Sequence, residues 1–115
     1  MTAQEYYNFF ASKPEDHWIT GSMENENGKR CAVGWLRKEL RLYSFEAGLK
    51  KLFSKHEYMP PENINDGFKD AKVFGDSPRE RILTVLSQII LFENADRPSL
   101  APGLAPVEEM AGLVL

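Results

Sequence analysis

The only cysteine of the 115-residue chain, Cys31, stands where a polar loop passes into a helical apolar pattern. A thiol at a helix start lies beside backbone N–H groups that have no hydrogen-bond partner within the helix. These groups lower the pKa of the thiol. Lys29 and Arg30 directly precede it and would stabilise the thiolate further. The pattern therefore predicts a nucleophilic thiol, although the same position also suits a cysteine buried as a small hydrophobic residue.

A nucleophilic cysteine needs a general base, and the sequence offers only two histidines, His17 and His56. Asp66 or Asn65 would orient that base. The papain-like order of cysteine, histidine and asparagine is met only if His56 is the base. The catalytic set of a cysteine-dependent hydrolase or transferase would therefore be Cys31, His17, His56 and Asp66. Because these residue types occur together by chance in many chains of this length, the sequence favours a non-enzymatic protein.

Lys29 and Arg30 also suggest an anion site. A helix start presents free N–H groups and a positive dipole end, and both favour negatively charged ligands. Together with Asn65, these residues would form the ligand-binding set of an anion- or nucleotide-binding module, a further alternative function. They do not form a phosphate loop, because Arg30 follows Gly28 and Lys29 where that motif requires Ser or Thr.

Metal and nucleic-acid binding have less support in the composition. One cysteine and two histidines without paired spacing cannot form a closed zinc site, so no metal and no cofactor are expected. Residues 29–55 carry eight Lys/Arg and two Glu, a local charge of +6. The formal net charge of −3 for the whole chain nevertheless argues against a nucleic-acid partner.

The distribution of apolar residues is that of a cytoplasmic protein. No apolar run approaches the roughly 20 residues that a membrane-spanning helix needs. The first residues lack the basic and then apolar order of a signal peptide, and a single cysteine suits a reducing compartment. We therefore expect a cytoplasmic location and no membrane contact.

Apolar spacing and capping signals predict one compact, mainly α domain over residues 1–94, built from four principal helices. Thr2 and Glu5 have the spacing of a capping box. Residues 77–80 combine a capping serine, a first-turn proline and a glutamate at the third helical position. The predicted helices cover residues 3–12, 30–42, 45–55 and 78–94.

The second predicted helix has an apolar stripe at steps of three and four residues, which should face the core. Gly34 falls on the opposite side. A glycine inside a helix costs about 1 kcal/mol relative to alanine, so it indicates close packing, close approach of a ligand, or a tolerated surface position. The predicted stripe consists of Ala32, Trp35, Leu36, Leu40 and Tyr43.

The loops give three further predictions. Asn27-Gly28 is typical of a tight turn and allows a small β-hairpin before the second helix. Ser44 can cap the third helix. Asn65-Asp66-Gly67 is more typical of a structural turn than of a site, since Asn and Asp side chains bond nearby backbone N–H groups.

A Pro-rich tail over residues 95–115 follows the predicted helical domain and ends on apolar residues. An apolar terminus is more often docked than left in water. The tail is therefore flexible, clamped across the core, or used to contact a protein partner or to mediate self-association, and the last of these is the favoured prediction. With no complete catalytic or metal set, the favoured function is that of a small cytosolic, non-enzymatic binding protein.

A set of spaced residues resembles a pattern found in small uncharacterised proteins of bacteria and their phages. It covers about residues 17–90 and contains a Gly-x-x-Cys-Ala-x-Gly-x-Leu string followed by Asn-Asp. The resemblance implies an accessory protein of a phage or mobile element that acts on a host protein, and it implies no particular activity. The matching residues are Trp18, Gly21, Gly28, Cys31, Ala32, Gly34, Leu36, Asn65, Asp66, Leu83, Val85 and Leu86.

Overall fold

A computed structural model describes residues 1–95, which form five α-helices and two short 3-10 helices. The mainly α prediction is confirmed, but the helices outnumber the predicted four. The predicted tail lies outside the described residues except for Ala95. The α-helices are α1 (Ala3–Ala11), α2 (Ala32–Glu39), α3 (Tyr43–Lys55), α4 (Pro61–Asp66) and α5 (Pro78–Ala95), and the 3-10 helices are Glu15–His17 and Lys69–Phe74.

Both strong helix starts are confirmed. At α1, the Thr2 hydroxyl oxygen accepts from the Glu5 N–H at 3.1 Å, and the Thr2 N–H donates to the Glu5 carboxylate at 2.7 Å. At α5, the Ser77 hydroxyl oxygen accepts from the Glu80 N–H at 3.1 Å. These bonds satisfy N–H groups that the helices themselves cannot pair, which is why the local sequence identifies the starts.

The core lies around α5, which packs against α1, α4 and the second 3-10 helix. The aromatic rings of Tyr6 and Phe10 reach it from α1, while Leu49 and Phe53 reach it from α3. The inward face of α5 repeats at three and four residues, as predicted for the central helix. Its fully buried apolar side chains are Ile82, Val85, Leu86 and Ile89.

Two arginines near the start of α5 bind the ends of other helices. Arg79 donates to the carbonyls of Ala11, the last residue of α1, and of Lys13 just after it, at 2.8 and 2.9 Å. Arg81 is buried and donates to three backbone carbonyls: Asn65 at 2.8 Å, Ile64 at 3.0 Å and Gly75 at 3.1 Å. Because helix C-termini leave carbonyls unpaired, these guanidinium groups fix α1 and α4 against α5.

The β-hairpin prediction is wrong for the part of the chain that the structure describes. The turn exists, with Gly28 at φ 80°, but only isolated bridges join Arg30 to Trp18 and to Glu24. The antiparallel pairing of Glu24 with Arg30 does not extend further, because the Cys31 carbonyl accepts from the Trp35 N–H at 2.9 Å in the first turn of α2.

The boundaries of α2 and α3 also differ from the prediction. The second helix ends at Glu39. It is followed by a turn in which Arg41 adopts a left-handed conformation at φ 60°. The third helix begins at Tyr43, so Ser44 lies inside its first turn rather than capping it. Tyr43 is consequently exposed instead of lying on the inward stripe of α2.

A buried carboxylate, Glu46 of α3, ties α3 to α2. It accepts from the Arg37 guanidinium at 2.7 and 3.2 Å, and Lys50 lies 3.4 Å from it. The hydrogen bond from Arg37 is the main cause that holds the pKa of Glu46 below its ordinary value of 4.5, against the opposing effect of burial. The charged form of Glu46 therefore stabilises the fold.

The free energy of unfolding is expected to decrease at acidic pH, because Glu46 becomes protonated there. Because its pKa is depressed on folding, its contribution is present above pH 4.5 and is lost as the pH falls through the folded-state value. In Arg37→Gln, the loss should be smaller and should be complete at a higher pH, because without the Arg37 hydrogen bond the folded-state pKa of Glu46 moves up toward 4.5. Urea unfolding over a pH series measures the shift.

Lys38→Gln is the matched control, since Lys38 lies on the same helix and has no ion pair within residues 1–95. It removes the same charge and should leave the pH profile unchanged. Equal shifts in the two variants would mean that the net charge, and not the Arg37–Glu46 bond, sets the profile.

Candidate functional site

The start of α2 is closed by side chains of the chain itself. Cys31 is the N-cap residue, and its Sγ accepts from the Gly34 N–H at 3.4 Å. The Ala32 N–H donates to the Asn65 side-chain oxygen at 3.1 Å. These partners occupy N–H groups that a helix start would otherwise offer to a ligand.

Asn65 and Asp66 at the end of α4 form what we call the Asn65–Asp66 clamp. The buried Asn65 amide donates to the Ile19 carbonyl at 2.9 Å and to the Asp66 carboxylate at 3.0 Å. The same Asp66 oxygen accepts from the Gly21 N–H at 3.0 Å. The clamp therefore joins three separate segments of the chain: α4, the loop at 19–21 and the start of α2.

Gly34 allows α2 to lie directly against the loop that precedes it. A Cβ at this position would lie 2.1 Å from the carbonyl oxygen of Met23. The same carbonyl accepts from the Cys31 N–H at 3.4 Å. Of the alternatives left open by the sequence, close packing is therefore the one observed, and Gly34 is buried rather than on an outer face.

A cavity of about 160 Å³ lies beside the clamp and brings two of the predicted site residues, Cys31 and Asp66, together. Cys31 is only 7% exposed. One carboxylate oxygen of Glu62 is buried without a hydrogen-bond partner among the described residues. The cavity is lined by Gly21, Ser22, Met23, Cys31, Val33, Glu62 and Asp66.

The thiol pKa differs from the expectation. Burial raises the pKa of Cys31, and the nearby Asp66 carboxylate raises it further, outweighing the backbone hydrogen bonds that lower it. The Arg30 guanidinium, predicted to stabilise the Cys31 thiolate, instead donates to Glu24 and to the Gly28 carbonyl, each at 2.8 Å. The site therefore holds a protonated thiol rather than a thiolate.

Neither histidine lines this cavity. His17 ends the first 3-10 helix, is exposed, and has its ring 6.4 Å from the ring of Trp35. His56 follows α3, and its Nε2 lies 3.1 Å from the Glu93 carboxylate. The structure thus joins Cys31 to Asp66 without a base, and the catalytic roles of the four residues stay predictions.

Two of the predicted anion ligands are engaged in local contacts. Arg30 pairs with Glu24 and lies over the Trp35 ring, 5.2 Å from its centroid. Asn65 makes the hydrogen bonds of the clamp. For Lys29, the backbone N–H donates to the Asn25 side chain at 3.0 Å. The ligand roles of Lys29, Arg30 and Asn65 stay predictions.

Two other features of the described chain bear on ligands and membranes. Within residues 1–95, no group of three or more His, Cys, Asp or Glu side chains is placed to hold a metal ion. None of the described helices is both long enough and apolar enough to cross a membrane.

Cys31 is expected to react slowly with iodoacetamide in the folded protein, because the buried thiol is protonated at neutral pH. Unfolding in urea should raise the rate by about tenfold or more, as exposure restores an ordinary cysteine. Mass spectrometry of the alkylated protein with time gives both rates. A folded-state rate above that of free glutathione would instead support the cysteine-dependent enzyme.

A second surface, which the sequence analysis missed, lies where α2 passes into α3. Leu42 is 60% exposed and Tyr43 is 69% exposed. A groove of about 310 Å³ runs beside them, lined also by Arg37, Arg41 and Glu46. The apolar spacing predicts Tyr43 on the inward stripe of α2. The helix ends at Glu39 instead, and after the turn at Arg41 the Tyr43 side chain is exposed. We call Arg37, Arg41, Leu42 and Tyr43 the Leu42–Tyr43 patch.

No protein-family model, curated protein or solved structure matches the chain.

Proposed function

We propose that the chain is a non-enzymatic binding protein that contacts another protein through the Leu42–Tyr43 patch. The observation that supports it is the exposure of two adjacent large apolar side chains beside a groove. Exposed apolar groups next to each other mark interaction surfaces more often than isolated ones do. Tyrosine and arginine are also the residues most enriched among the anchors of protein interfaces.

The patch is presented by a rigid backbone. The Leu36 carbonyl accepts from the N–H groups of both Leu40 and Arg41, at 2.9 and 3.2 Å. Arg41 is held in a left-handed conformation that costs free energy for a residue with a side chain. A surface that is already ordered loses less entropy when a partner binds. The fixed turn therefore favours Leu42 and Tyr43 as binding anchors.

The charges of the patch define the partner's chemistry. Arg41 has no ion pair within residues 1–95, whereas Arg37 is shared with Glu46. An unpaired cation beside an apolar centre favours a partner that presents acidic side chains next to aromatic or aliphatic ones. An accessory protein of a phage or mobile element, acting on such a surface of a host protein, fits this chemistry.

A random peptide library displayed on phage tests the proposal with a defined probe. Selection on the intact protein should enrich peptides in which Asp or Glu adjoins an aromatic or aliphatic residue. Tyr43→Ala should weaken their Kd by about tenfold or more, as loss of an interface anchor does. Val73→Ala is the matched control, because Val73 is 79% exposed in the second 3-10 helix, outside the patch.

Three outcomes would overturn the proposal. They are the absence of enriched peptides, the enrichment of peptides without acidic residues, and equal weakening by Tyr43→Ala and Val73→Ala. Circular dichroism of both variants confirms that the fold is intact. Because both positions are exposed, neither substitution should change the free energy of unfolding by more than about 0.5 kcal/mol.

A further inference from the structure

A second groove, distinct from the Leu42–Tyr43 patch, lies between α1 and α5. It has a volume of about 310 Å³ and no charged residue in its lining. The two helices pack closely through their buried faces, so its walls are firmly held. The lining consists of Gln4 and Tyr7 from α1 and of Ser87, Ile90 and Leu91 from α5.

One wall of this groove presents a large exposed apolar side chain. Leu91 lines the groove and is 69% exposed. Exposed apolar surface in a groove is often covered by a partner or by another part of the chain.

The part of the chain that follows has a composition that suits the groove. Residues 96–115 contain seven large apolar residues, six Leu or Val and one Met, and only four charged ones. Three prolines, at positions 98, 102 and 106, recur every fourth residue. Pro-rich segments bind apolar grooves with aromatic walls at low entropic cost, because proline restricts the free chain. Tyr7 supplies such a wall.

The groove is also within immediate reach of the segment. The described helix ends at Ala95, four residues after Leu91, which corresponds to about 6 Å along the helix axis. The seven residues from Ala95 to Pro102 span up to about 24 Å when extended, so residues near Pro102 are long enough to return to the groove. Attachment to α5 makes this binding intramolecular, which raises the effective concentration of the segment at the groove.

We propose that the groove between α1 and α5 binds residues of the 96–115 segment of the same molecule. The contact is apolar and needs no charge pairing, since no charged residue lines the groove. It leaves the Leu42–Tyr43 patch free for the partner and gives the predicted tail a docking surface within the domain.

Methyl NOEs on the full-length chain, labelled at Ile, Leu and Val methyl groups, test this contact. The expected result is a set of NOEs from methyl groups of residues 100–107 to those of Ile90 and Leu91. Leu91→Asp should abolish them, and Val73→Asp, which adds the same charge to another exposed apolar position, should retain them. Amide spectra of both variants confirm that the fold is unchanged.

A mixed sample of labelled and unlabelled chains identifies the source of the segment. Isotope-filtered NOEs that appear only between different chains would overturn the intramolecular contact and assign the groove to a second copy. NOEs to Leu42 would place the segment on the Leu42–Tyr43 patch instead. A folded protein without NOEs between 96–115 and residues of α1 or α5 would also refute the proposal.

Discussion

Replacing Gly34 with alanine is expected to lower the free energy of unfolding by about 3 kcal/mol, although alanine is the better helix former. The new Cβ would lie 2.1 Å from the Met23 carbonyl oxygen and 3.2 Å from the Cβ of Arg30. Since the first contact is with backbone, no rotamer change relieves it and α2 must move away from the loop. Urea unfolding followed by circular dichroism measures the loss.

Gly48→Ala is the matched control for this prediction. Its Cβ would lie 2.6 Å from the hydroxyl oxygen of Tyr6, which is a side-chain atom. Tyr6→Phe removes that oxygen, so the double variant should be more stable than the sum of the two single changes indicates. A Gly34→Ala protein within about 0.5 kcal/mol of the wild type would show that α2 is not held against Met23.

The sequence predicted those parts of the fold that depend on neighbouring residues. At the start of α1, the Thr2 side chain accepts from an N–H group three residues later. At the start of α5, the Ser77 side chain does the same. The inward face of α5 follows from a regular apolar repeat in one long helix. Such features are encoded within a single helical turn or a single periodic segment, so they can be found without knowing the tertiary contacts.

Features set by distant contacts were not predictable in the same way. Arg81 looks like a surface charge of an amphipathic helix, yet it donates to carbonyls 16 and 17 residues earlier in the chain. The thiol pKa of Cys31 is raised because burial outweighs the helix start, and burial depends on the packing of the whole chain. Tyr43 is exposed because α2 ends at Glu39 and the chain turns at the left-handed Arg41 before α3 begins, which separates Tyr43 from the helix to which the apolar spacing assigns it.

The candidate site contains two of the predicted catalytic residues, Cys31 and Asp66, which line one cavity. The hydrogen bonds beside it join segments of the chain: Asn65 accepts from the Ala32 N–H, and Asp66 accepts from the Gly21 N–H. Several residues of the Gly-x-x-Cys-Ala-x-Gly-x-Leu and Asn-Asp pattern thus lie together in one network that fixes the loop against two helices. Their spacing is explained by the architecture before any chemistry is invoked.

Asn65→Asp is expected to lower the free energy of unfolding by about 4 kcal/mol at neutral pH, because it puts an uncompensated charge in a buried site. The two side chains have nearly the same shape, and the oxygen that accepts from Ala32 is kept. The amide nitrogen, however, donates to the Ile19 carbonyl at 2.9 Å and to Asp66 at 3.0 Å. A carboxylate oxygen in its place would face two acceptors without a proton between them.

The loss should be smaller in acid, which distinguishes it from a simple packing defect. Burial and the Asp66 carboxylate raise the pKa of the introduced carboxyl in the folded state, so the penalty is present at neutral pH and decreases as the pH falls through that raised value. Asn63→Asp, in the same helix, adds an equal charge at a side chain without hydrogen bonds in the clamp and should be nearly neutral. Urea unfolding of both variants across the pH series gives the comparison. Equal losses in the two, or a loss for Asn65→Asp that does not change with pH, would show that the amide is not the group that joins α4 to α2 and the loop.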